Sequence, residues 1–380
     1  EMEKMDIVLA APTGRAAKRM TEATGYEAKT IHRLLEVSGG IEDGDSSHFE
    51  KNEDNPIEAD AVILDEMSMV DIHLMYSLLK AIVPGTRLIL VGDSNQLPSV
   101  GPGNVLKDII DSKAFSVVRL SKIYRQAESS HIVLNAHKIN AGELITLDNK
   151  NKDFFFFEKK DVRSVMGALV YLVKTRLPEY IGASPFEIQV LTPMRKGELG
   201  VEHLNEVLQY YLNPASESKK EKEGRTGVFR EGDKVMQVKN NYKLEWKITN
   251  AKGFSIEEGL GVFNGDMGII KQINTYSERI TVAFDENREV EYPFSSLDEL
   301  ELAYAITIHK SQGSEYPAVV LPLLSGPPIL CNRNLLYTAI TRAQKCVAIA
   351  GRQSMVEQMI HNETEQKRYS GLNDCLKEGL

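Results

Sequence analysis

The chain contains little cysteine, little tryptophan and no excess of positive charge. Its 380 residues include 3 cysteines and 1 tryptophan, and its formal net charge is −9 at pH 7. The cysteines are widely spaced, which excludes a cysteine-based metal motif and favours a reducing, cytoplasmic setting without disulfides. The negative balance excludes a protein that is basic over its whole surface. A local basic groove for nucleic acid is compatible with that balance, because steering depends on where charges lie.

Long hydrophobic runs are also missing. The longest candidate, AVVLPLL at 318–324, has the length of a strand, so the sequence predicts no membrane span. Shorter apolar runs without polar alternation are typical of strands buried on both faces of a parallel sheet. They lie at 7–11, 61–64, 88–91, 188–191, 318–323 and 347–350. Helical patterns lie between them, so the sequence predicts doubly wound α/β layers.

Two segments interrupt this alternation. Residues 215–225 are polar and charged, and from there to about residue 296 short alternating strands are separated by NGD and DEN turns. This pattern predicts a small antiparallel barrel inserted into the second α/β unit. Residues 38–56 are polar and turn-rich, and they predict a protruding hairpin or a long loop within the first unit.

Acidic and amide side chains follow two of the predicted strands. Asp65 and Glu66 end the run VIL, and the run LILV leads into Asp93 and Gln96. In open α/β sheets, ligands bind outside the carboxyl ends of the strands. Asp65 can hold a magnesium ion there, Glu66 can orient or deprotonate an attacking water, and Gln96 can contact a γ-phosphate oxygen. The plain alternative is that the acids only cap the next helix; the GDxxQ pattern favours a nucleotide site.

Two arginines are candidates for the same site. Arg125 lies in LSKIYRQ, and Arg342 lies late in the helical pattern NLLYTAITRAQ. A guanidinium offers several coplanar donors to the charge that develops on a transferred phosphoryl group. For either arginine taken alone, an ordinary solvated surface charge is the better interpretation.

Two further stretches carry short polar donors suited to a phosphate backbone. TIHKSQGSEY at 307–316 follows an apolar run, and APTGRAAKRM places Thr13, Arg15, Lys18 and Arg19 at a predicted helix N-terminus. Helix N-termini attract phosphates, and such donors suit contacts to a nucleic-acid backbone. For either stretch taken alone, an amphipathic segment with a solvent-exposed polar face is the better interpretation.

The ordered set of motifs is far more specific than any one of them. It resembles the RecD-like branch of superfamily-one DNA helicases, which includes exodeoxyribonuclease V alpha-type and TraA-type proteins. The resemblance covers about residue 7 to residue 352. It is carried by LAAPTGRAAKRM, TIHRLL, VILDEMSMVD, LVGDSNQLPSVGPG, YRQ, LTPMRKGELGVEHLN, NGDMGII, AYAITIHKSQGSEY and NLLYTAITRA.

The resemblance implies a fold and an activity. The expected fold is α/β, with two RecA-like parallel-sheet domains, the first incomplete, and an SH3-like β-barrel inserted in the second. The expected domains are 1–118 with a pin-like insertion at about 36–57, then 119–226 with 299–380, and the barrel at 227–298. The expected activity is ATP- and Mg²⁺-dependent 5′-to-3′ movement on single-stranded DNA and at duplex junctions, with recombination or repair proteins as partners.

The resemblance also assigns residues by matching motif. The catalytic set is Asp65, Glu66, Gln96, Arg125 and Arg342, and Asp65 is the magnesium ligand. Nucleotide binding is assigned to Asp65, Asp93, Gln96, Arg125, Gly313, Glu315 and Arg342. Contacts to the nucleic-acid strand are assigned to Pro12, Thr13, Arg15, His32, Thr192, Arg195, Asn264, Thr307, His309, Lys310 and Ser311.

One motif of the family is missing. The family carries a phosphate loop, GxxxxGK[ST], one strand before LAAPTGRAAKRM, and the dipeptide Gly-Lys occurs nowhere in this sequence. We therefore expect a C-terminal piece of a helicase with weak or no ATP hydrolysis, and self-association through an exposed sheet edge. Two other functions are open: a non-hydrolysing module that binds single-stranded nucleic acid, and an RNA-directed superfamily-one helicase.

Overall fold

The computed structural model divides the chain into two compact units, Glu1–Lys122 with Gln366–Leu380 and Ile123–Glu365. None of the helices described is both long and apolar enough to cross a membrane. The structure describes residues 5–36, 49–120, 129–225, 227–250, 254–364, 368 and 370–379.

The first unit is built on a parallel sheet. Its strands are β1 (Ile7–Ala11), β2 (Ala28–Thr30), β3 (Ala61–Leu64) and β4 (Arg87–Leu90), in the spatial order β2-β1-β3-β4. Its helices are α1 (Gly14–Thr24), α2 (Ile31–Leu34), α3 (Ile72–Ala81) and α4 (Val105–Ser112), with a short 3-10 helix at Met67–Met69. In the central strand β3, Val62 and Leu64 on one face and Ala61 on the other are all buried, so the sheet is covered on both faces.

Local sequence explains where these helices begin and end. The Thr13 hydroxyl accepts a hydrogen bond from the amide of Ala16 and caps α1, and Gly25 ends that helix in the left-handed region at φ 74°. Asp71 caps α3 in the same way by accepting from the amide of Leu74 at 2.8 Å. Asp71 and Gly25 thus set these helix ends through a local hydrogen bond and a local backbone conformation.

The C-terminal segment belongs to the first unit, whereas the sequence prediction places 299–380 in the second domain. Its helix α11 (Leu372–Glu378) lies against α4. The physical reason is that Leu372 packs on the core of the first unit, while Ser370 and Asn373 donate hydrogen bonds to Asp108 of α4.

The predicted pin-like insertion at 36–57 lies partly outside the described residues, because these exclude 37–48. Its base is ordered by backbone pairing: the amide of Glu50 donates to the Glu36 carbonyl at 3.0 Å, and the amide of Lys51 donates to the Leu35 carbonyl at 3.1 Å. The two arms of the insertion therefore leave the first unit side by side.

The second unit has a parallel sheet of its own. Its strands are β5 (Phe154–Glu158), β6 (Ile188–Thr192), β16 (Ala305–Thr307), β17 (Tyr316–Leu323) and β18 (Ala343–Gly351), in the order β16-β6-β17-β18-β5. Its helices are α5 (His131–Asn140), α6 (Val162–Tyr171), α7 (Leu177–Ile181), α8 (Val201–Leu212), α9 (Arg333–Ile340) and α10 (Gln353–His361). The six predicted apolar runs fall on β1, β3, β4, β6, β17 and β18; of these, β4 alternates between exposed and half-buried positions and is not buried on two faces.

Between β6 and β16 the second unit carries an antiparallel insert. A hairpin of β7 (Glu221–Gly224) and β8 (Gly227–Arg230) precedes it. The strands of the insert are β9 (Lys234–Gln237), β10 (Asn241–Thr249), β11 (Ser255–Val262), β12 (Met267–Asn274), β13 (Arg279–Phe284), β14 (Arg288–Pro293) and β15 (Leu300–Leu302). Their spatial order is β11-β10-β14-β13-β12-β9-β15. Two parallel-sheet α/β units with a small antiparallel insert confirm the predicted fold class.

Candidate functional site

Asp65 and Glu66 lie at the carboxyl edge of the first sheet, directly after β3. The amide of Asp65 donates to the Ala10 carbonyl of β1 at 3.0 Å, and the amide of Met67 donates to the Val91 carbonyl beyond β4 at 3.0 Å. The two acids are therefore held between both neighbouring strands. This is the position at which open α/β sheets bind ligands.

The backbone at Glu66 is strained. Glu66 has φ 53° and ψ 41°, in the left-handed region that non-glycine residues rarely adopt, and its amide donates to Asp65 Oδ1 at 2.8 Å. Such strain costs about 1–3 kcal/mol and is concentrated at functional sites. Here the turn redirects the chain immediately after β3, while both acidic side chains stay half-buried.

Gln96 follows β4 and carries a buried polar atom without a partner. Its amide nitrogen lies 3.5 Å from Asp93 Oδ2, while Asp93 Oδ1 accepts from the amide of Asn95 at 2.9 Å. Within the described part of the chain, the Oε1 atom of Gln96 is buried and accepts no hydrogen bond. An unsatisfied buried polar group costs about 1–3 kcal/mol, so a bound group or water that donates to this oxygen would stabilise the site.

The donor set fits a magnesium nucleotide better than a protein-only metal site. Among the residues that the structure describes, no group of three or more His, Cys, Asp or Glu side chains could hold a metal ion. Magnesium keeps several waters and is usually held by one or two carboxylates together with phosphate oxygens. Asp65 is thus sufficient as a protein ligand if phosphates complete the coordination.

Arg342, in the second unit, is not the solvated surface charge that a lone arginine suggests. It follows α9 and is 3% exposed. Its guanidinium donates to the carbonyls of Thr338 and Ser314 and to the Thr341 hydroxyl, each at 3.3 Å. These long bonds hold a buried charge with backbone and hydroxyl acceptors. Arg125, the other predicted arginine, lies outside the described residues.

Two more residues assigned to the nucleotide lie near Arg342 in the second unit. Gly313 has φ 70°, which favours glycine, and Glu315 Oε2 accepts from Gln344 Nε2 at 3.2 Å. The carbonyl of Arg342 accepts from the amide of Tyr316, so β17 begins beside the arginine. The structure therefore brings Gly313, Glu315 and Arg342 into one neighbourhood.

The residues of the first unit that were assigned to nucleic-acid contact have different surroundings. The Thr13 hydroxyl is used as a helix cap. Pro12 and Arg15 are half-buried beside it. The His32 ring lies 6.0 Å from the Phe49 ring, and burial lowers the pKa of His32 although Asp71 opposes that shift. His32 is therefore mainly neutral at neutral pH.

Two cations of the second unit share one acid. Glu301 in β15 accepts from Arg195 Nη2 at 2.6 Å and from Lys310 Nζ at 2.9 Å. Burial alone would raise the pKa of Glu301, but the hydrogen bonds and charges of Lys310 and Arg195 hold it below its ordinary value. Sequence reasoning missed Glu301, since nothing in the stretch ELEL marks it as the partner of residues far along the chain.

The remaining candidates divide by exposure. The hydroxyls of Thr192 and Ser311 are fully buried and donate internally, to the carbonyls of Leu199 and Ile308 at 2.7 Å each. Any contact from these two to a nucleic-acid strand must use the backbone. Three others keep accessible side chains: Thr307, half-buried, and His309 and Asn264, both exposed.

Comparison with known proteins agrees with the fold described above. Three family models match the chain: an AAA domain over residues 1–102, an ATP-dependent RecD-like DNA helicase SH3 domain over 204–284, and a UvrD-like helicase C-terminal domain over 302–350. A solved structure with a similar fold is the Pif1 helicase from Bacteroides in complex with ADP-AlF3 and ssDNA. Its TM-score is 0.52 at 20% identity, over 94% of this chain and 85% of that one.

Curated relatives are closer in sequence. The ATP-dependent RecD2 DNA helicase of Deinococcus radiodurans is 36% identical over 91% of this chain and 43% of its own length. The RecBCD enzyme subunit RecD of Mycolicibacterium smegmatis is 30% identical over 98% of this chain and 66% of its own length. The chain thus spans less than two thirds of these relatives.

Together, the two parallel-sheet units and the antiparallel insert define a RecA-like α/β protein. The matched models and relatives show in addition that the chain belongs to the RecD-like family within that class.

Proposed function

We propose that this chain carries the motor of an ATP-dependent DNA helicase that moves 5′ to 3′ along single-stranded DNA. The observation that carries the proposal is that Asp65 and Glu66 directly follow β3, while Gln96 follows the paired strand β4, at the carboxyl edge of one parallel sheet. Gln96 has a buried amide oxygen that accepts no hydrogen bond among the described residues, and Asp65 and Glu66 are both half-buried. That arrangement suits a phosphate-bearing ligand, its metal ion and its attacking water.

In this proposal each side chain has a distinct task. Bound Mg²⁺–ATP supplies the phosphoryl group that is transferred to water. Asp65 would hold the metal ion, and Glu66 orients the attacking water or accepts its proton. Gln96 contacts the water or the terminal phosphate, and so distinguishes nucleotides that carry a γ-phosphate from those that lack one. The assignment of Arg125 and Arg342 to the γ-phosphate stays a prediction.

Single-stranded DNA is proposed as the nucleic acid along which the motor moves. Arg195 and Lys310 place two cations within 3 Å of one carboxylate, and Thr307 and His309 lie next to Lys310 in sequence. Phosphate oxygens can compete with a carboxylate for such cations, because both are charge-assisted acceptors. The Bacteroides Pif1 structure, which holds ADP-AlF3 and ssDNA, supports the same pairing of ligands.

The setting and partners follow from the relatives. Several curated relatives are named as subunits of RecBCD enzymes. We therefore expect recombination or repair proteins as partners, and a cytoplasmic setting in which Cys331, Cys346 and Cys375 stay reduced.

A second candidate function is a module that binds single-stranded nucleic acid without hydrolysing ATP. The specific observation in its favour is that the sequence contains no GxxxxGK[ST], although the backbone and lysine of such a loop hold the β- and γ-phosphates in related enzymes. Competition between DNA and RNA oligonucleotides for the chain would decide the strand chemistry, which depends on local contacts to the 2′-hydroxyl.

ATP hydrolysis by this chain, with and without single-stranded DNA, separates the two functions. Glu66→Gln should abolish DNA-stimulated phosphate release, because the amide cannot accept a proton. Glu22→Gln is the matched control, since Glu22 lies on α1 and contacts only Lys18, at 3.9 Å, among the ion pairs described. DNA binding without turnover would support the binding module. Absence of both DNA binding and turnover would contradict both functions.

A further inference from the structure

Arg368 forms a cage of hydrogen bonds with the loop that follows Gln96. Its Nη1 donates to the carbonyls of Gly101 and Gly103 at 2.5 and 3.1 Å and to the Ser99 hydroxyl at 3.2 Å. Its Nη2 donates to the Ser99 carbonyl at 2.5 Å. One guanidinium from the end of the chain thus holds three carbonyls of a loop that lies 269 positions earlier.

The opposite side of the same loop is fixed by α3. The amide of Ile72 donates to the Pro102 carbonyl at 3.0 Å. Gly101 lies so close to Asp71 that an added Cβ would stand 2.0 Å from Asp71 Oδ2, which leaves no room for a side chain. The loop at 99–103 is therefore clamped between the start of α3 and the Arg368 guanidinium.

The arginine itself is anchored independently of the loop. The Ser370 hydroxyl donates to Asp108 Oδ2 at 2.6 Å, Asn373 Nδ2 donates to the Asp108 carbonyl at 3.3 Å, and Leu372 packs on the core. These contacts hold the C-terminal segment on α4. They make no bond to the loop at 99–103, so the docking of α11 and the cage of Arg368 can be separated by substitution.

We propose that Arg368 is a positioning residue for Gln96. By holding the carbonyls of Ser99, Gly101 and Gly103, it fixes the loop in the form that keeps Oε1 of Gln96 buried and its amide nitrogen beside Asp93. Arg368 does not touch the nucleotide in this proposal; it acts through the loop. The expected effect of Arg368 on nucleotide binding rests on the proposed function given above. Its effect on the order of the loop at 99–103 does not.

The alternative is that Arg368 only docks the C-terminal segment. Hydrogen–deuterium exchange of the 380-residue chain without nucleotide tests this. In Arg368→Ala, amides of residues 93–104 and the Ile72 amide should exchange faster by about tenfold or more, because charge-assisted hydrogen bonds that order the loop are lost. Amides of β1 and β3 should keep their protection.

Asn373→Ala is the matched control, since it removes a bond between α11 and α4 but none to the loop. It should leave residues 93–104 protected. Arg368→Lys should give an intermediate result, because an ammonium lacks the planar fork that reaches several carbonyls, and it serves if Arg368→Ala fails to fold. Equal exchange in the loop for Arg368→Ala and Asn373→Ala would overturn the proposal in favour of simple docking.

A binding measurement tests the consequence for Gln96. The affinity ratio of a fluorescent ATP analogue to its ADP counterpart should fall in Arg368→Ala by about as much as in Gln96→Ala, and the double variant should show no further fall. Additive losses would show that Arg368 does not act through Gln96. If the unsubstituted chain binds neither nucleotide, the proposed function fails, while the exchange experiment still decides the role of Arg368 in the loop.

Discussion

The Tyr304 hydroxyl donates a hydrogen bond to Asp233 Oδ1 at 2.9 Å, and both side chains are buried in the second unit. Asp233 precedes β9, and Tyr304 precedes β16, so the bond joins the antiparallel insert to the parallel sheet. Gln209 and Asn213, at the end of α8, donate to the same carboxyl at 2.6 and 2.7 Å. Burial raises the pKa of Asp233, although these donors oppose the shift.

Tyr304→Phe should lower the free energy of unfolding by about 1–2 kcal/mol, because it removes a buried hydrogen bond to a carboxyl group and keeps the ring. Urea unfolding monitored by circular dichroism measures this change. Tyr276→Phe is the control, since Tyr276 is 96% exposed, and it should leave stability unchanged. An unchanged midpoint for Tyr304→Phe would show that the bond contributes nothing to holding the insert.

The Glu301 carboxylate should make stability depend on pH. Its folded-state pKa lies below its ordinary value, so its contribution is present above the unfolded pKa of about 4.3 and is lost as pH falls through the folded pKa. Glu301→Gln should therefore cost up to about 1 kcal/mol at pH 7, with screening at the half-exposed Arg195 limiting the effect. The difference in free energy of unfolding between Glu301→Gln and the unsubstituted chain should shrink in acid.

Glu202→Gln is the control for that measurement. Glu202 also contacts Arg195, at 3.4 Å, but its side chain is more exposed than that of Glu301, so its loss should change stability little at any pH. If Glu301→Gln lowered the free energy of unfolding by the same amount at every pH, packing and not charge would explain the contribution of Glu301.

Arg195 and Lys310 should contribute to DNA binding through their charge. Arg195→Ala and Lys310→Ala should each weaken binding to single-stranded DNA and reduce the slope of log K against log salt by about 0.7 per lost phosphate contact. Fluorescence anisotropy at several salt concentrations measures both quantities. Glu301→Gln should have the opposite effect on affinity, because it removes the carboxylate that competes with phosphate.

Arg279→Ala is the comparison variant for the DNA experiments. Arg279 is a half-exposed arginine of β13 that pairs with Glu291 at 3.2 Å, so it matches Arg195 in type and environment. It should not change the salt slope. Equal losses of DNA affinity for Arg279→Ala and Arg195→Ala would indicate a general effect of charge. That result would contradict a specific DNA-binding site at Arg195 and Lys310.

The strained backbone at Glu66 should show a conflict between stability and activity. Glu66→Gly should relieve the left-handed conformation and leave the chain as stable or more stable by up to about 1 kcal/mol, while DNA-stimulated ATP hydrolysis is lost. Thermal unfolding and phosphate release measure the two effects.

Lys113→Gly gives the contrast for Glu66→Gly. Lys113 ends α4 at φ 59°, so Lys113→Gly should stabilise the folded chain to a similar extent and leave ATP hydrolysis unchanged. A clear destabilisation by Glu66→Gly alone would show that the Glu66 side chain contributes to folding more than its backbone strain costs.

The sequence by itself determined the features that depend on neighbouring residues. Apolar runs of strand length placed β1, β3, β6 and β17, and the position of Asp65 and Glu66 at a sheet edge followed from the rule that these acids end a buried strand. Asp71 and Gly25 set helix ends through their own hydrogen bonds and φ. Such signals are local, since the chemistry that produces them lies within a few residues.

Only the tertiary structure decided the contacts between distant segments. Arg195 meets Glu301 across 106 positions, and Arg368 meets the loop after Gln96 across more than 260. The last residues join the first unit for the same reason, because Leu372, Ser370 and Asn373 find their partners on α4 and its core. Patterns of 2 or 3.6 residues carry no information on such pairs. Which cation meets which acceptor is fixed by the order of strands and by the packing of helices upon them.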